Sequence, residues 1–197
     1  VFTDEVVRGV KSGDPDAIGA VYVVLADRLL GYLIARVHDR ASAEDVLEAT
    51  FIELLQHGST IQGGAAAIKV WLYKAAHFNA LDLLRKRTRL REDLQGDDQV
   101  LDLEDPVRGP AEHAEAAELG TEVRAALTQL SEDQRQVLEL RYIAGLSAKE
   151  IAELMDKGDG AVRSLQHRGE RALAKLLRPL RPPAPSQRSA ASKDVES

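Results

Sequence analysis

Residues 147–168 read SAKEIAELMDKGDGAVRSLQHR, and this stretch decides the fold. Ser147 with Glu150 is a capping box that opens a helix, and Ile151 and Leu154 mark its buried side. Lys157-Gly158-Asp159-Gly160 then breaks the helix, with the glycines expected to permit the tight turn. A second helix resumes with Val162 and Leu165 underneath, while Arg163, Ser164, His167, Arg168 and Arg171 line its outer face. Two short helices, a tight turn and a basic outer face make a helix-turn-helix. Side chains near the start of such a second helix reach base edges in the major groove, and flanking bases hold phosphates. A plain helical hairpin with a wet basic face is the competing reading.

Working upstream, Ala144-Gly145 ends a preceding helix, and Ser131 with Gln134 forms the capping box that begins it. Helical signal in this half starts at Ala111 and runs to Leu177, with Leu173, Leu176 and Leu177 expected toward the core. The first half has its own helices. Asp14-Pro15 opens one whose apolar stripe is Ile18, Val21, Tyr22, Leu25, Leu29 and Leu33. Ser42 to Asp45 reads as the cap of a second, with Val46, Leu47, Phe51, Leu54 and Leu55 buried. Gly58 to Gly64 reads as a loop, and a third helix runs from about Ala66 to Arg87 with Trp71, Ala75, Phe78 and Leu81 on one stripe. The expected fold class is therefore all-α, with two small helical domains joined by an acidic flexible linker. Residues 1–91 form the first domain, 92–110 the linker and 111–178 the second domain. Residues 179–197, rich in Pro, Ser and Ala, read as a disordered tail.

The net charge of −6 conceals three blocks. Lys69 to Arg91 carries seven bases against Asp82, and Gly160 to Arg181 carries six against Glu170. Between them, Glu92 to Glu122 holds eleven acids against Arg108. Two basic surfaces in separate domains suit two contacts on one long polyanion, with the acidic segment held off it. DNA or RNA is the partner this pattern indicates. Other classes fare worse. There is no cysteine, so disulfides, thiolate metal sites and cysteine nucleophiles are excluded. No phosphate-loop, dinucleotide or zinc-peptidase motif is present, and the five histidines lack ligand spacing. No uninterrupted apolar run reaches the ~18 residues of a spanning segment. The expectation is a cytoplasmic, non-enzymatic protein with no membrane insertion, no cofactor and no metal.

The run ALTQLSEDQRQVLELRYIAGLSAKEIAELMDKGDGAVRSLQHRGERALAKLL, residues 126–177, resembles region four of bacterial sigma factors of the extracytoplasmic-function group. GDPDAIGAVY at 13–22, AEDVLEATF at 43–51 and VWLYKAAHFNALDLLRKRTR at 70–89 resemble region two of the same group, in the right order. The GAVRSLQHR wording is similar to actinobacterial members. The resemblance implies a promoter-recognition subunit whose partners are core RNA polymerase, promoter DNA and an anti-sigma factor. Region two would bind the β′ coiled coil and the minus-ten element. Region four would sit on the β flap and read the minus-thirty-five element. Carried over by position, Arg163, Ser164, His167 and Arg168 would read bases and Arg171 a phosphate. Glu44, Asp45 and Glu48 would face the polymerase, although acids also simply suit a helix start. Arg85, Lys86, Arg87 and Arg89 would hold the promoter backbone, with Trp71 and Asn79 toward the opened bases.

Two departures from the family pattern stand out. The usual Gln-Glu pair after AEDV is Glu48-Ala49 here. The Asn expected seven residues after Trp71 is Phe78, with Asn79 one residue later, and one residue turns a helix by ~100°. Trp71 itself reads either as a base-stacking residue or as core beside Phe78. The rival to the whole reading is an ordinary helix-turn-helix transcription regulator, against which the all-helical first domain argues.

Overall fold

The computed structural model describes residues 2–94, 122–123 and 125–177. The linker from 95 onward, the start of the second domain at Ala111 and the tail after 177 lie outside the described residues. All regular structure among the described residues is helical: α1 (Asp4–Ser12), α2 (Pro15–Val37), α3 (Arg40–His57), α4 (Ala65–Leu94), α5 (Glu132–Leu138), α6 (Ala148–Met155) and α7 (Asp159–Leu176). A 3₁₀ turn, Gly58–Thr60, follows α3, and residues 125–128 add one helical turn.

The first domain is a bundle around α2. Asp14 caps it by accepting from the Asp16 amide, and Pro15 takes the first helical position, where no N–H is needed. Val21, Leu29, Tyr32 and Leu33 are wholly buried, each apolar side chain contributing ~1.5–3 kcal/mol. Among the described residues α2 alone is long and apolar enough to cross a bilayer, and in this fold it is the bundle's central helix. The preceding α1 has no counterpart in the sequence reading. It packs Val7 and Val10 against the bundle, and Val10 O would lie 2.5 Å from any Cβ at Gly58.

Several expectations shift. The cap of α3 is Asp39, not Ser42: the Asp39 carboxylate accepts from the Ser42 amide, so the helix begins about one turn earlier. The Ser42 hydroxyl and amide, then the Arg87 guanidinium, hold the Asp39 carboxyl below its usual range. The third helix does not stop at Arg87 but continues to Leu94, since nothing in the basic run breaks it. Its buried stripe is Ile68, Leu72, Tyr73, Ala76 and Ala80, so the expected stripe is the wrong one. Trp71 packs only partly against the core, and Phe78 is 50% exposed. Tyr22 and Leu55 are likewise surface residues, 46% and 43% exposed, at the margins of otherwise buried stripes.

In the second domain both capping boxes form, at Ser131–Gln134 and Ser147–Glu150. After Leu138 the helix widens into a π turn over Glu139–Ile143, where Ala144 N–H donates to Glu139 O at 3.1 Å. Gly145, at φ +68°, ends it in the left-handed region as expected. The turn between α6 and α7 departs from the reading. Its left-handed residue is Asp156, at φ +52°, a residue type that tolerates this region through its short polar side chain. Gly158 caps α7 in extended conformation, and Asp159 and Gly160 already belong to the helix. Val162 and Leu165 are buried as expected, whereas Leu173, Leu176 and Leu177 are only half-buried.

The two domains are packed together. One core runs through both, joining Tyr32, Leu33 and Tyr73 to Val137, Leu140 and Leu146. Tyr73 OH donates to Ala144 O at 3.3 Å, and Lys69 pairs with Glu150 at 3.1 Å across the same seam.

Candidate nucleic-acid interface

The candidate recognition surface is built on α7. Its buried side is Val162, Leu165 and Gly169, where Gly169 lets Leu138 approach to 3.2 Å from where a Cβ would stand. A 3.6-residue period then forces Arg163, Ser164, His167, Arg168 and Arg171 outward, and all five are exposed. Arg168 Nε donates back to Ser164 O at 3.3 Å, which lays that side chain along the helix. Of the two acids on α7, Asp159 stands in the first turn, and Glu170 is occupied by Tyr142 OH at 2.6 Å and Gln166 Nε2 at 2.8 Å, which hold its carboxyl below the usual range. The outer face of α7 is therefore net basic. Lys157 pairs with Asp133 at 3.0 Å and ties the turn to α5.

A second basic surface lies on α4. Arg85, Lys86 and Arg89 are exposed, with Arg85 paired to Asp82 at 3.0 Å. Arg87 differs from its neighbours: half-buried, it donates to Val37 O at 3.4 Å and pairs with Asp39 at 3.2 Å, joining α4 to the α2–α3 corner. Asn79 faces α3, where its amide donates to Glu53 Oε1 at 3.0 Å and Thr50 Oγ1 at 3.4 Å. Trp71 is half-buried on the side of the helix that also carries Lys74 and Phe78.

Glu44, Asp45 and Glu48 are all exposed on α3. Glu44 pairs with Arg40 at 2.8 Å, and Glu44 and Glu48 rim a groove of about 650 Å³ between α2 and α3. Tyr22, Ile52 and Leu55 supply its apolar wall. The sequence reading placed Tyr22 and Leu55 in the core and missed the groove, because both sit at the edge of an apolar stripe, where period alone does not separate buried from rim.

Also unforeseen is a buried polar cluster at the domain seam. Arg36 of α2 pairs with Glu139 at 3.2 Å and with Glu132. Beside it His77 of α4 lies 2.9 Å from Tyr32 OH and 3.2 Å from Gln136 Nε2. Burial, then the Arg36 charge, pushes His77 down to about 4, so the ring is neutral. Burial pushes Glu139 up to about 7, against the pull of Arg36 and Arg135. Burial also opposes ionisation of Glu132, but there Arg36 and Arg135 prevail and hold the carboxyl below its usual range. The only sequence signal was three charged or polar residues, Glu132, Gln136 and Glu139, on one side of a short helix.

Comparison with known proteins agrees with this architecture. Residues 21–90 match the Sigma-70 region 2 family, and residues 120–173 match Sigma-70, region 4. The chain is 34% identical to the ECF RNA polymerase sigma factor SigX of Bacillus subtilis over 155 residues, covering 78% of this chain and 79% of that protein. It is 30% identical to the ECF RNA polymerase sigma factor BldN of Streptomyces coelicolor over 173 residues, 88% of this chain but 65% of the longer BldN. Among solved structures, CnrH in complex with the cytosolic domain of CnrY superposes with a TM-score of 0.67 at 20% identity, covering 89% of this chain and 97% of that one. Both sigma regions are thus present, in order and on the expected helices: the chain belongs to the extracytoplasmic-function group of bacterial RNA polymerase sigma factors.

Proposed function

We propose that this chain joins core RNA polymerase and directs promoter-specific initiation, and that the polymerase alone carries the chemistry. The observation that carries the reading is α7: every residue assigned to DNA is exposed, while the opposite side is sealed by Val162, Leu165 and Gly169. Arg163, Ser164, His167 and Arg168 read the minus-thirty-five element as duplex, and Arg171 holds a phosphate. Arg85, Lys86 and Arg89 follow the backbone near the minus-ten element, and Trp71 stands beside the opened bases. Arg87 and Asn79, each tied into the fold, contribute by holding α4 in place.

The groove between α2 and α3 takes the β′ coiled coil. Its apolar wall offers burial, and Glu44, Asp45 and Glu48 offer carboxylates to bases on the partner. The second domain sits on the β flap. Solved complexes of similar fold hold a second protein, NepR described as the anti-sigma factor on RpoE of Bartonella quintana, and the same class of inhibitor is proposed here. Such a protein works in the cytoplasm.

Run-off transcription by sigma-free core polymerase, on DNA from upstream of the chain's own gene, tests the reading. Product that requires the chain and falls with Arg168→Ala supports it. Binding to DNA without ever directing core polymerase would favour a simple helix-turn-helix regulator.

A further inference from the structure

We infer that Tyr142 is a positioning residue for the outer face of α7: its hydroxyl keeps the Glu170 carboxylate at the margin of that face, off His167 and off the phosphates of a bound duplex. The inference rests on the reading of α7 given above and names two residues that reading did not use. Tyr142 stands on the π turn after α5 and is 66% exposed, so its ring contributes little burial. Its anchor is the hydroxyl, which donates to Glu170 Oε1 at 2.6 Å, 28 residues along the chain. Gln166 Nε2 donates to the same oxygen at 2.8 Å, from one turn back on α7.

The place of Glu170 gives that contact its consequence. Val162, Leu165 and Gly169 are buried and Arg163, His167 and Arg171 are exposed, while Gln166 and Glu170 are half-buried between the two sets. His167 lies three residues before Glu170, a spacing at which side chains meet on a helix surface. A carboxylate released from the margin would therefore weaken binding in two ways. It could engage His167, which the duplex needs, or stand as a like charge beside the phosphates. Tyr142 and Gln166 hold it toward the π turn instead. Their hydrogen bonds favour the ionised carboxyl, and His167 and Arg141 add to that pull, so Glu170 stays charged and its position is what matters. Arg141 is no substitute for the tyrosine hydroxyl, because its Nη1 donates to Leu146 O at 2.9 Å. What Tyr142 controls is the place of one surface charge, so its effect on binding is electrostatic, a few-fold in size and screened by salt.

The test uses the full chain assembled with core polymerase, titrated on duplex DNA from upstream of its own gene. Three variants are compared with wild type: Tyr142→Phe, Glu170→Gln and the two combined. Tyr142→Phe should bind about 3-fold more weakly at low salt, the size of one exposed charge interaction. The gap should close as salt rises from ~0.05 to ~0.3 M, because the released charge is then screened. Glu170→Gln should bind at least as tightly as wild type, and adding Tyr142→Phe to it should cost nothing further. That rescue separates positioning from the alternatives, since a tyrosine that touched DNA or merely braced α7 would still be missed when residue 170 is neutral. Equal binding by Tyr142→Phe and wild type overturns the inference. So does a Tyr142→Phe loss that persists in the Glu170→Gln background or at high salt, or a Glu170→Gln chain that binds more weakly than wild type. These outcomes leave the sigma reading intact as long as run-off still depends on the chain and on Arg168. A wild-type chain that never joins core polymerase overturns the reading and the inference together.

Discussion

Arg36 Nη1 lies 3.2 Å from Glu139 Oε2, with each side chain only 2% exposed and the two residues on different domains. A charge pair this deep fastens the two halves of the molecule to each other. It also makes the seam sensitive to loss of either partner, because a lone buried charge has no water to turn to. Arg36→Met should therefore cost ~3–5 kcal/mol, chiefly by leaving Glu139 with only the longer contact to Arg135 at 3.9 Å. Combining it with Glu139→Leu should recover most of that loss, since Glu132 is half exposed and can return to solvent. Urea unfolding of the single and double variants, compared as a cycle, measures the difference.

The same seam sets opposing responses to pH. Folded Glu139 keeps its proton up to about 7, whereas the unfolded carboxyl loses it near its ordinary value of 4.5. The folded chain binds more protons in that window, so this group's contribution weakens as pH rises through it. Folded His77 stays neutral down to about 4, against an ordinary value of 6.5, so its contribution weakens as pH falls. Glu132, held low by Arg36 and Arg135, adds to the loss at the acid end. The wild-type chain should thus show a flat stability profile between about pH 4.5 and 6.5. His77→Gln should expose a decline with rising pH, and Glu139→Gln the reverse, each on the order of 1 kcal/mol per pH unit. Thermal unfolding at half-unit pH steps reads both slopes.

Gly58 is a packing constraint. A Cβ there would stand 2.5 Å from Val10 O, a backbone atom that cannot swing aside, so Gly58→Ala must push α1 away from the α3 end. The expected loss is ~1–3 kcal/mol. Faster proteolysis near Val7 and Val10 should accompany the fall in melting temperature.

Neighbouring residues on α4 should separate cleanly in stability. Asn79→Ala removes the amide that joins α4 to Thr50 and Glu53 and should cost about 1 kcal/mol. Phe78→Ala removes a ring that is half in solvent and should cost less than a buried phenylalanine, about 1 kcal/mol or below. Calorimetry of the two variants measures the difference.

On α7 the prediction concerns salt and sequence. Arg163→Ala should cost ~1–3 kcal/mol on the cognate duplex and relax preference at one base pair. Arg171→Ala should weaken all duplexes alike and reduce the slope of log affinity against log salt by about 1. Titrations of holoenzyme on cognate and scrambled duplex at several salt concentrations check both.

The residue pattern by itself determined every helix but α1, most of their caps and the recognition face. These depend on neighbours within a turn or two: a Ser–Glu capping box, a Gly at a left-handed C-cap, and the period that sets Val162 and Leu165 against Arg163 and Arg168. It left open which of two plausible stripes of α4 is buried. Trp71, Ala75, Phe78 and Leu81 satisfy helical period as well as Ile68, Leu72, Ala76 and Ala80 do, and only packing against α2 and α3 chose between them. The place of Asn79 was equally undecided until Glu53 and Thr50, 26 and 29 residues away in sequence, were brought beside it. The seam between domains was beyond the sequence altogether. Arg36 and Glu139 are 103 residues apart and look like ordinary surface charges in their own helices. Their pairing exists because the apolar sides of both domains close over one core, and burial of a charge is a property of everything around it.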